Sequence, residues 1–217
     1  MNWKLLRLAP WVDTRARFVA SLPRRGTLLD LGSSDGETLC HFAELRPDLK
    51  LRATDIAGTP DAYPAGCDFH RGDICSETLP WDNNSVDGIT CMYLVEHLPS
   101  LTKLFDEAAR VLKPGARLYV ETPRPKSVIL DSPKGAMLGN YTLNFFDDAT
   151  HVRPVVVSTL AREAERVKLT SVGSGVSRNL LFVSSYSLFA FLPPSRRKYT
   201  AYAHFKGLSA YYIAEKR

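Results

Sequence analysis

Short apolar runs alternate along the chain with stretches whose apolar residues recur at helical spacing, and that alternation predicts a parallel sheet covered by helices. "GTLLDLG" (26–32) predicts a first strand, and "GETLCHFAELRP" (36–47) the helix behind it, stopped at Pro47. "LKLRATDI" (49–56) predicts a second strand, "GCDFHRGDI" (66–74) holds a short third, and "SVDGITCMYLV" (85–95) is a fourth, dense in residues that suit strands. In "LTKLFDEAARVLKPG" (101–115), Leu101, Leu104, Phe105, Ala108, Val111 and Leu112 mark one helical face, ended by the "KPG". A fifth strand is predicted at "ARLYVETP" (116–123).

Residues 124–153 then lose all periodicity and gather Pro, Gly, Asn and Asp; connections that long inside a compact domain are usually functional. "PVVVSTLAREAERV" (154–167) resumes as a helix with Pro154 near its start. Strand-like runs follow at "KLTSVGSGV" (168–176) and "LSAYYIAEK" (208–216). With 217 residues and no repeat or linker, the chain reads as a single domain, 26–122 forming a cofactor-binding core and 123–217 the opposite side.

The stretch "LLDLGSSDG" (28–36) carries the first candidate chemistry. A strand, a glycine turn and a helix start, followed by an acid about 20 residues on, is how folds hold adenosine-containing cofactors; here the acid is Asp55. A dinucleotide would set its pyrophosphate on the helix N-terminus and disfavour carboxylates there. This turn instead puts Asp30 before the glycines and Ser33, Ser34 and Asp35 between them, which suits a ligand bearing an ammonium group.

On these residues the chain resembles the class I S-adenosylmethionine-dependent methyltransferases over residues 26–122. "LLDLGSSDG" is similar to the family's D-x-G-x-G-x-G motif, with Ser34 where the middle glycine is usual, a serine the turn tolerates if that position is unstrained. "ATDIAG" resembles the ribose-binding end of the second strand, with Asp55 and Ile56, and "RGDICSETLPWDNNSVDGITCMYLVEHL" resembles the third and fourth motifs. The resemblance implies a Rossmann-like doubly wound α/β sheet of seven strands, mostly parallel, with the last antiparallel. It further implies S-adenosylmethionine as cofactor, held by Asp30, Gly32, Ser33, Ser34, Gly36, Asp55, Ile56, Asp73, Ile74 and the backbone at Cys91. Asp73 would hydrogen-bond the adenine amino group and Ile74 would supply the neighbouring backbone contact. Read alone, Asp30 and Asp73 could equally cap turns, and Cys91 and Trp81 could be packing residues.

Methyl transfer to a hydroxyl also needs a group to take the proton, and histidine is the usual choice. His41 and His70 fall on predicted core elements. His97, in "VEHLP", follows the fourth strand, where relatives keep the reactive end of the cofactor, or it starts a turn. The run Thr150-His151-Val152-Arg153-Pro154 resembles a subgroup of these enzymes associated with envelope sugars. It offers His151 as base, oriented by Asp147 or Asp148, and Arg153 with Tyr141 as acceptor contacts; the plain alternative is a helix-capping turn. Asp147, Asp148 and His151 could also ligate a metal, but their spacing defines none and no metal is assigned. The expected reaction is methylation of an acceptor hydroxyl, of a sugar or glycan first, with a quinone, phenol or amine as the alternative, or a non-catalytic cofactor-binding protein.

Charge changes this picture at one end. Residues 162–217 hold 10 Lys or Arg against 3 Asp or Glu. Such a surplus suits an anionic membrane surface, a nucleic acid or a phosphorylated acceptor, or is a solvated face; nucleic acid is disfavoured because no binding module accompanies it. Within it, 180–192 is apolar and too short to span a bilayer, and is expected to pack as a core helix. The basic, aromatic part after it, from Arg196, is expected to touch the acceptor or a membrane. The four cysteines show no CxxC pair, and Arg7, Pro10 and Asp13 break up any leader-like apolar run. Both observations point to a cytoplasmic protein, peripheral to a membrane if the basic segment docks there; the oligomeric state is left open.

Overall fold

The computed structural model describes residues 3–132 and 141–217. Seven strands form one sheet: β1 (Thr27–Leu31), β2 (Lys50–Asp55), β3 (Asp68–Arg71), β4 (Val86–Met92), β5 (Leu112–Pro123), β6 (Leu169–Ser177) and β7 (Ser209–Lys216). Their order across the sheet is β3-β2-β1-β4-β5-β7-β6. The first five pair in parallel, while β7 runs antiparallel to both β5 and β6. The order reverses between β1 and β4, the crevice position at which such sheets bind ligands.

Helices α1 (Thr14–Ala20) and α2 (Glu37–Leu45) share one apolar layer, where Phe18, Leu39 and Phe42 meet Leu28 and Leu51. On the other face α3 (Thr102–Val111) and α4 (Val157–Arg166) bury Leu104, Phe105, Ala108 and Leu160 against Leu29, Ile89 and Leu118. Two stripes, one per face, are what a central parallel sheet requires. Trp3 joins the first layer by stacking on His41 at 4.9 Å, so His41 is structural, as read.

Three boundaries differ from the sequence reading. Strand β5 starts at Leu112, not Ala116, so the Pro-Gly pair lies inside it, beside a register shift against β4 between Val86 and Gly88; a bulge accommodates a proline that a regular ladder would not. Helix α4 starts three residues after Pro154. The largest correction concerns α5 (Leu180–Phe189), expected in the core: none of its residues is buried, and Leu188 and Phe191 are 75% and 92% exposed. It packs instead on α6 (Arg196–Lys206), through Tyr186 against Tyr202 and Phe205.

These two helices are anchored below the sheet edge by a buried polar cluster. Asp13 caps α1 by accepting from Arg15 and Ala16 N–H, and also accepts from the Asn179 amide at 2.8 Å, while Asn179 caps α5 through Leu181 and Phe182 N–H. Each such cap contributes about 1 kcal/mol. Glu121, fully buried at the end of β5, accepts from Tyr93, Tyr119 and Ser177 hydroxyls, with Arg15 at 3.8 Å.

Candidate active site

A cleft of about 1170 Å³ runs along the C-terminal ends of β1, β2 and β4 and beneath α6. Its floor is the glycine turn. Gly32 sits at φ +70°, where a Cβ would come within 2.9 Å of the Leu94 side chain; at Gly36, φ +74°, it would lie 2.5 Å from the Ala62 carbonyl oxygen. Both positions therefore require glycine. Ser34 takes φ +49°, so the tolerance expected of an unstrained serine does not describe it; a left-handed residue of this kind costs about 1–2 kcal/mol. The turn is held despite that cost: Ser34 N–H donates to Asp55 Oδ2 at 2.8 Å, and the Tyr63 hydroxyl donates to the Ser34 carbonyl at 2.9 Å.

Asp30 is 2% exposed and accepts from the Thr90 hydroxyl at 2.6 Å. Burial pushes its carboxyl up to about 7, so it faces the cleft near its ionisation point. Asp55 braces the turn and also accepts from Ala57 N–H at 2.9 Å, which leaves acceptor capacity on both oxygens. Ile56 lies open beside it and Ile74 is buried, both lining the cleft. Asp73 lines the cleft too, while capping its own turn by accepting from Cys75 N–H and the Ser76 hydroxyl. Diol-binding carboxylate, apolar slot and buried acid near an ammonium position together fit S-adenosylmethionine.

Gly36, Cys91 and Arg153 do not line the cleft. Cys91 is fully buried in the core between β1 and β5, and Met92 and Tyr93 reach the cleft in its place. The burial of the Cys91 side chain is the expected one, because only its backbone was assigned to the cofactor. Arg153 is exposed and donates to the Pro99 carbonyl at 2.8 Å, so it holds the 98–100 turn rather than an acceptor. Trp81 is a packing residue that donates to Asp68 at 2.7 Å.

The opposite wall brings together residues far apart in sequence. Val152 N–H donates to the Glu96 carbonyl at 2.8 Å, which docks the segment around His151 against the turn after β4. As a result the His97 and His151 rings stand 4.7 Å apart. Thr150 donates its hydroxyl proton to Asp148 Oδ1 at 2.6 Å and meets His97 Nδ1 at 2.9 Å, so Nδ1–H is the donor there. His151 Nδ1–H donates to the Phe145 carbonyl at 2.5 Å. Both Nε2 atoms are thereby left as lone pairs. Burial, and then the neighbouring His151, push His97 below the usual imidazole range. Asp148 supports this pair, 3.8 Å from His151 Nε2. Asp147 does not: it accepts from Leu143 and Asn144 N–H and the Ser132 hydroxyl. Among the described residues the metal-capable group is accordingly Glu96, His97 and His151, with ligand atoms within 4.8 Å of one another, not Asp147, Asp148 and His151.

Tyr141 lines the cleft and stacks on Tyr199 of α6 at 4.2 Å. Arg196, at the start of α6, reaches Glu37 at the start of α2 at 3.4 Å, so α6 bridges the cleft. Tyr63 was missed in the sequence, and Glu96 and Thr150 entered only as neighbours of His97 and His151.

A family model described as a methyltransferase domain matches residues 4–172. The biotin biosynthesis bifunctional protein BioHC of Cellvibrio japonicus is 32% identical over 138 residues, 61% of this chain and 27% of that protein. The ubiquinone biosynthesis O-methyltransferase of Paraburkholderia phymatum is 26% identical over 184 residues, 79% of this chain and 74% of that one. Other curated relatives are spanned to about half their length. The S-adenosylmethionine dependent methyltransferase structure from Mesorhizobium loti shares the fold with a TM-score of 0.60 at 16% identity, covering 92% of this chain and 96% of that one.

Proposed function

The chain belongs to the methyltransferase domain family, and from that premise we infer that this class I S-adenosylmethionine-dependent enzyme moves the methyl group to an acceptor hydroxyl. S-adenosylmethionine supplies a sulfonium-bound methyl group whose departure leaves a neutral thioether. The chain's own residues have two tasks. The first is alignment: Gly32 lets the backbone approach, Asp55 and Ile56 take the ribose, Asp73 and Ile74 take the adenine, and ionised Asp30 faces the ammonium. Fixing reactants in line is worth up to about 7–11 kcal/mol in favourable systems.

The second task is to withdraw a proton, and the observation that carries the hydroxyl reading is the imidazole pair. A hydroxyl acceptor is a weak nucleophile until its proton is withdrawn, and an imidazole nitrogen on the acceptor wall suits that task. His97 and His151 are oriented by Thr150, Asp148 and the Phe145 carbonyl, which supports an assigned role for each Nε2.

For the acceptor, the aromatic rim favours a ring-bearing phenol or quinol over a sugar. Tyr141 and Tyr199 stack at the mouth, and Phe145 stacks on His151 at 4.3 Å. The ubiquinone-related relative supports the same choice. The sugar or glycan reading keeps the Thr-His-Val-Arg-Pro run but loses its arginine to the Pro99 carbonyl. Release of S-adenosylhomocysteine across a panel of quinols, phenols, nucleotide sugars, oligosaccharides and RNA separates them. Turnover only with amines would sink the hydroxyl reading, and cofactor binding with no turnover at all would leave a non-catalytic binding protein.

A further inference from the structure

Glu96 is fully buried, yet only one of its carboxylate oxygens is engaged. Oε2 accepts from the Thr122 hydroxyl at 3.1 Å, while Oε1 has no hydrogen-bond partner. Leaving a buried carboxylate oxygen unfilled is costly, and such groups are normally paired or bound to a metal. In front of it, toward the cleft, stand His97 and His151, which line the cleft wall as Glu96 does not.

The imidazoles have the orientation that ligands have. Each commits its Nδ1–H, His97 to the Thr150 hydroxyl backed by Asp148 and His151 to the Phe145 carbonyl. That is the outer-shell pattern that fixes a metal-binding tautomer and leaves Nε2 free to coordinate. One oxygen of Glu96 and one nitrogen of each ring lie within 4.8 Å of one another. Ligands around a first-row cation at about 2.0–2.2 Å stand roughly 3–4 Å apart, a closure that small side-chain rotations supply.

We propose that Glu96, His97 and His151 form a binding site for a divalent first-row transition cation, with its open coordination positions turned into the cleft. Two imidazoles and one carboxylate suit zinc, manganese, iron or cobalt, and do not suit the all-oxygen preference of magnesium or calcium. Three protein ligands with open positions is the arrangement of a cation that also binds a substrate oxygen. The site stands on its own geometry; its link to transfer rests on the hydroxyl reading, in which the two imidazoles would act on the acceptor oxygen through the cation.

The competing account is that Glu96 is protonated and the imidazoles are free bases. Cobalt(II) titration of the full chain, followed by visible absorbance and by metal content after dialysis, separates the two. The expected result is one cobalt per chain with ligand-field bands of a nitrogen–oxygen site, displaced by zinc. Glu96→Gln and His151→Gln should each weaken binding by at least about tenfold to a hundredfold, given that even outer-shell changes have effects of that size. His41→Gln, on α2 against Trp3, should bind like the parent. S-adenosylhomocysteine binding checks that each variant is folded; if Glu96→Gln fails that check, His151→Gln, on the outer segment, decides. No bound cobalt, or binding in the folded variants within twofold of the parent, overturns the site. Cobalt binding without S-adenosylhomocysteine binding in the parent would instead overturn the cofactor reading and leave the metal site standing.

Discussion

The two walls of the cleft are built by different means. The cofactor wall is backbone, with Gly32 and Gly36 at positive φ and the Ser34 main chain clamped by the Asp55 and Tyr63 side chains, all within residues 30–63. The acceptor wall is side chains held by side chains. His97, Thr150, His151, Tyr141 and Tyr199 come from segments up to a hundred residues apart and meet only because Val152 docks on Glu96 and α6 crosses the cleft. A wall of the first kind binds rigidly and depends on chain geometry; one of the second kind tolerates change in shape but loses chemistry with single atoms.

The largest expected effect tests the acceptor wall. His151→Ala should lower kcat by about 10²–10⁴-fold while S-adenosylhomocysteine affinity stays within about twofold, because the two contacts act at different groups. Equal losses in both, by steady-state kinetics and calorimetry, would erase the division between the walls. On the cofactor side, Gly32→Val must force a branched side chain into a left-handed position against Leu94. Affinity for S-adenosylhomocysteine should drop roughly a hundredfold, about 2.7 kcal/mol; binding within a few-fold of the parent would show that the turn is softer than its geometry implies.

A pH series sharpens the contrast further. The Asp30 carboxyl, raised to about 7 by burial, is ionised above that pH and neutral below it. Its pairing with the ligand ammonium is therefore present at pH 8 and lost as pH falls through 7. S-adenosylhomocysteine affinity should weaken about tenfold from pH 8 to pH 6, and Asp30→Asn should flatten the profile. A parent profile without this slope would remove Asp30 from the ammonium site. Smaller still, Tyr63→Phe removes the hydroxyl that donates to the Ser34 carbonyl and meets the Ser33 hydroxyl; a net loss of about 1 kcal/mol should weaken cofactor binding about fivefold by calorimetry.

The smallest effect is expected in the basic segment. Lys198 donates to the Ala190 and Leu192 carbonyls and Arg196 reaches Glu37, so two of its three cations already serve the fold. Among the described residues no helix is long and apolar enough to cross a membrane. We propose that the open face of α5, with the exposed Arg197 of the adjoining α6, rests on an anionic membrane surface. Arg197→Ser should then reduce sedimentation with anionic liposomes by about twofold to fivefold, since one basic residue near such a surface contributes about 1 kcal/mol, and leave cofactor binding unchanged. Unaltered sedimentation would make the segment a clamp on α5 alone.

Much of this was legible in the chain, unevenly. The seven strands and the helices after β1 and β4 follow from local pattern, with errors at boundaries such as Leu112, where a bulge hides a strand inside a proline-glycine pair. Asp30, Gly32, Asp55 and Asp73 were legible because each belongs to a motif whose spacing is set within one unit. Arg153 was misplaced because motif position does not say which way a side chain turns. For α5 the apolar composition was read correctly and the burial was not, since composition cannot say whether the sheet has room for another helix.

By itself the sequence determined the individual strands, the glycine turn and, through the acid 23 residues after Gly32, the cofactor class, features whose geometry short-range backbone rules dictate. Only the tertiary structure decided that His97 and His151 face one another, that Thr150 and Asp148 orient one and the Phe145 carbonyl the other, and that Glu96 stands behind both with an unfilled oxygen. The reason is physical: a hydrogen bond's direction and a buried group's missing partner depend on atoms brought in from distant segments, and no spacing along the chain encodes them.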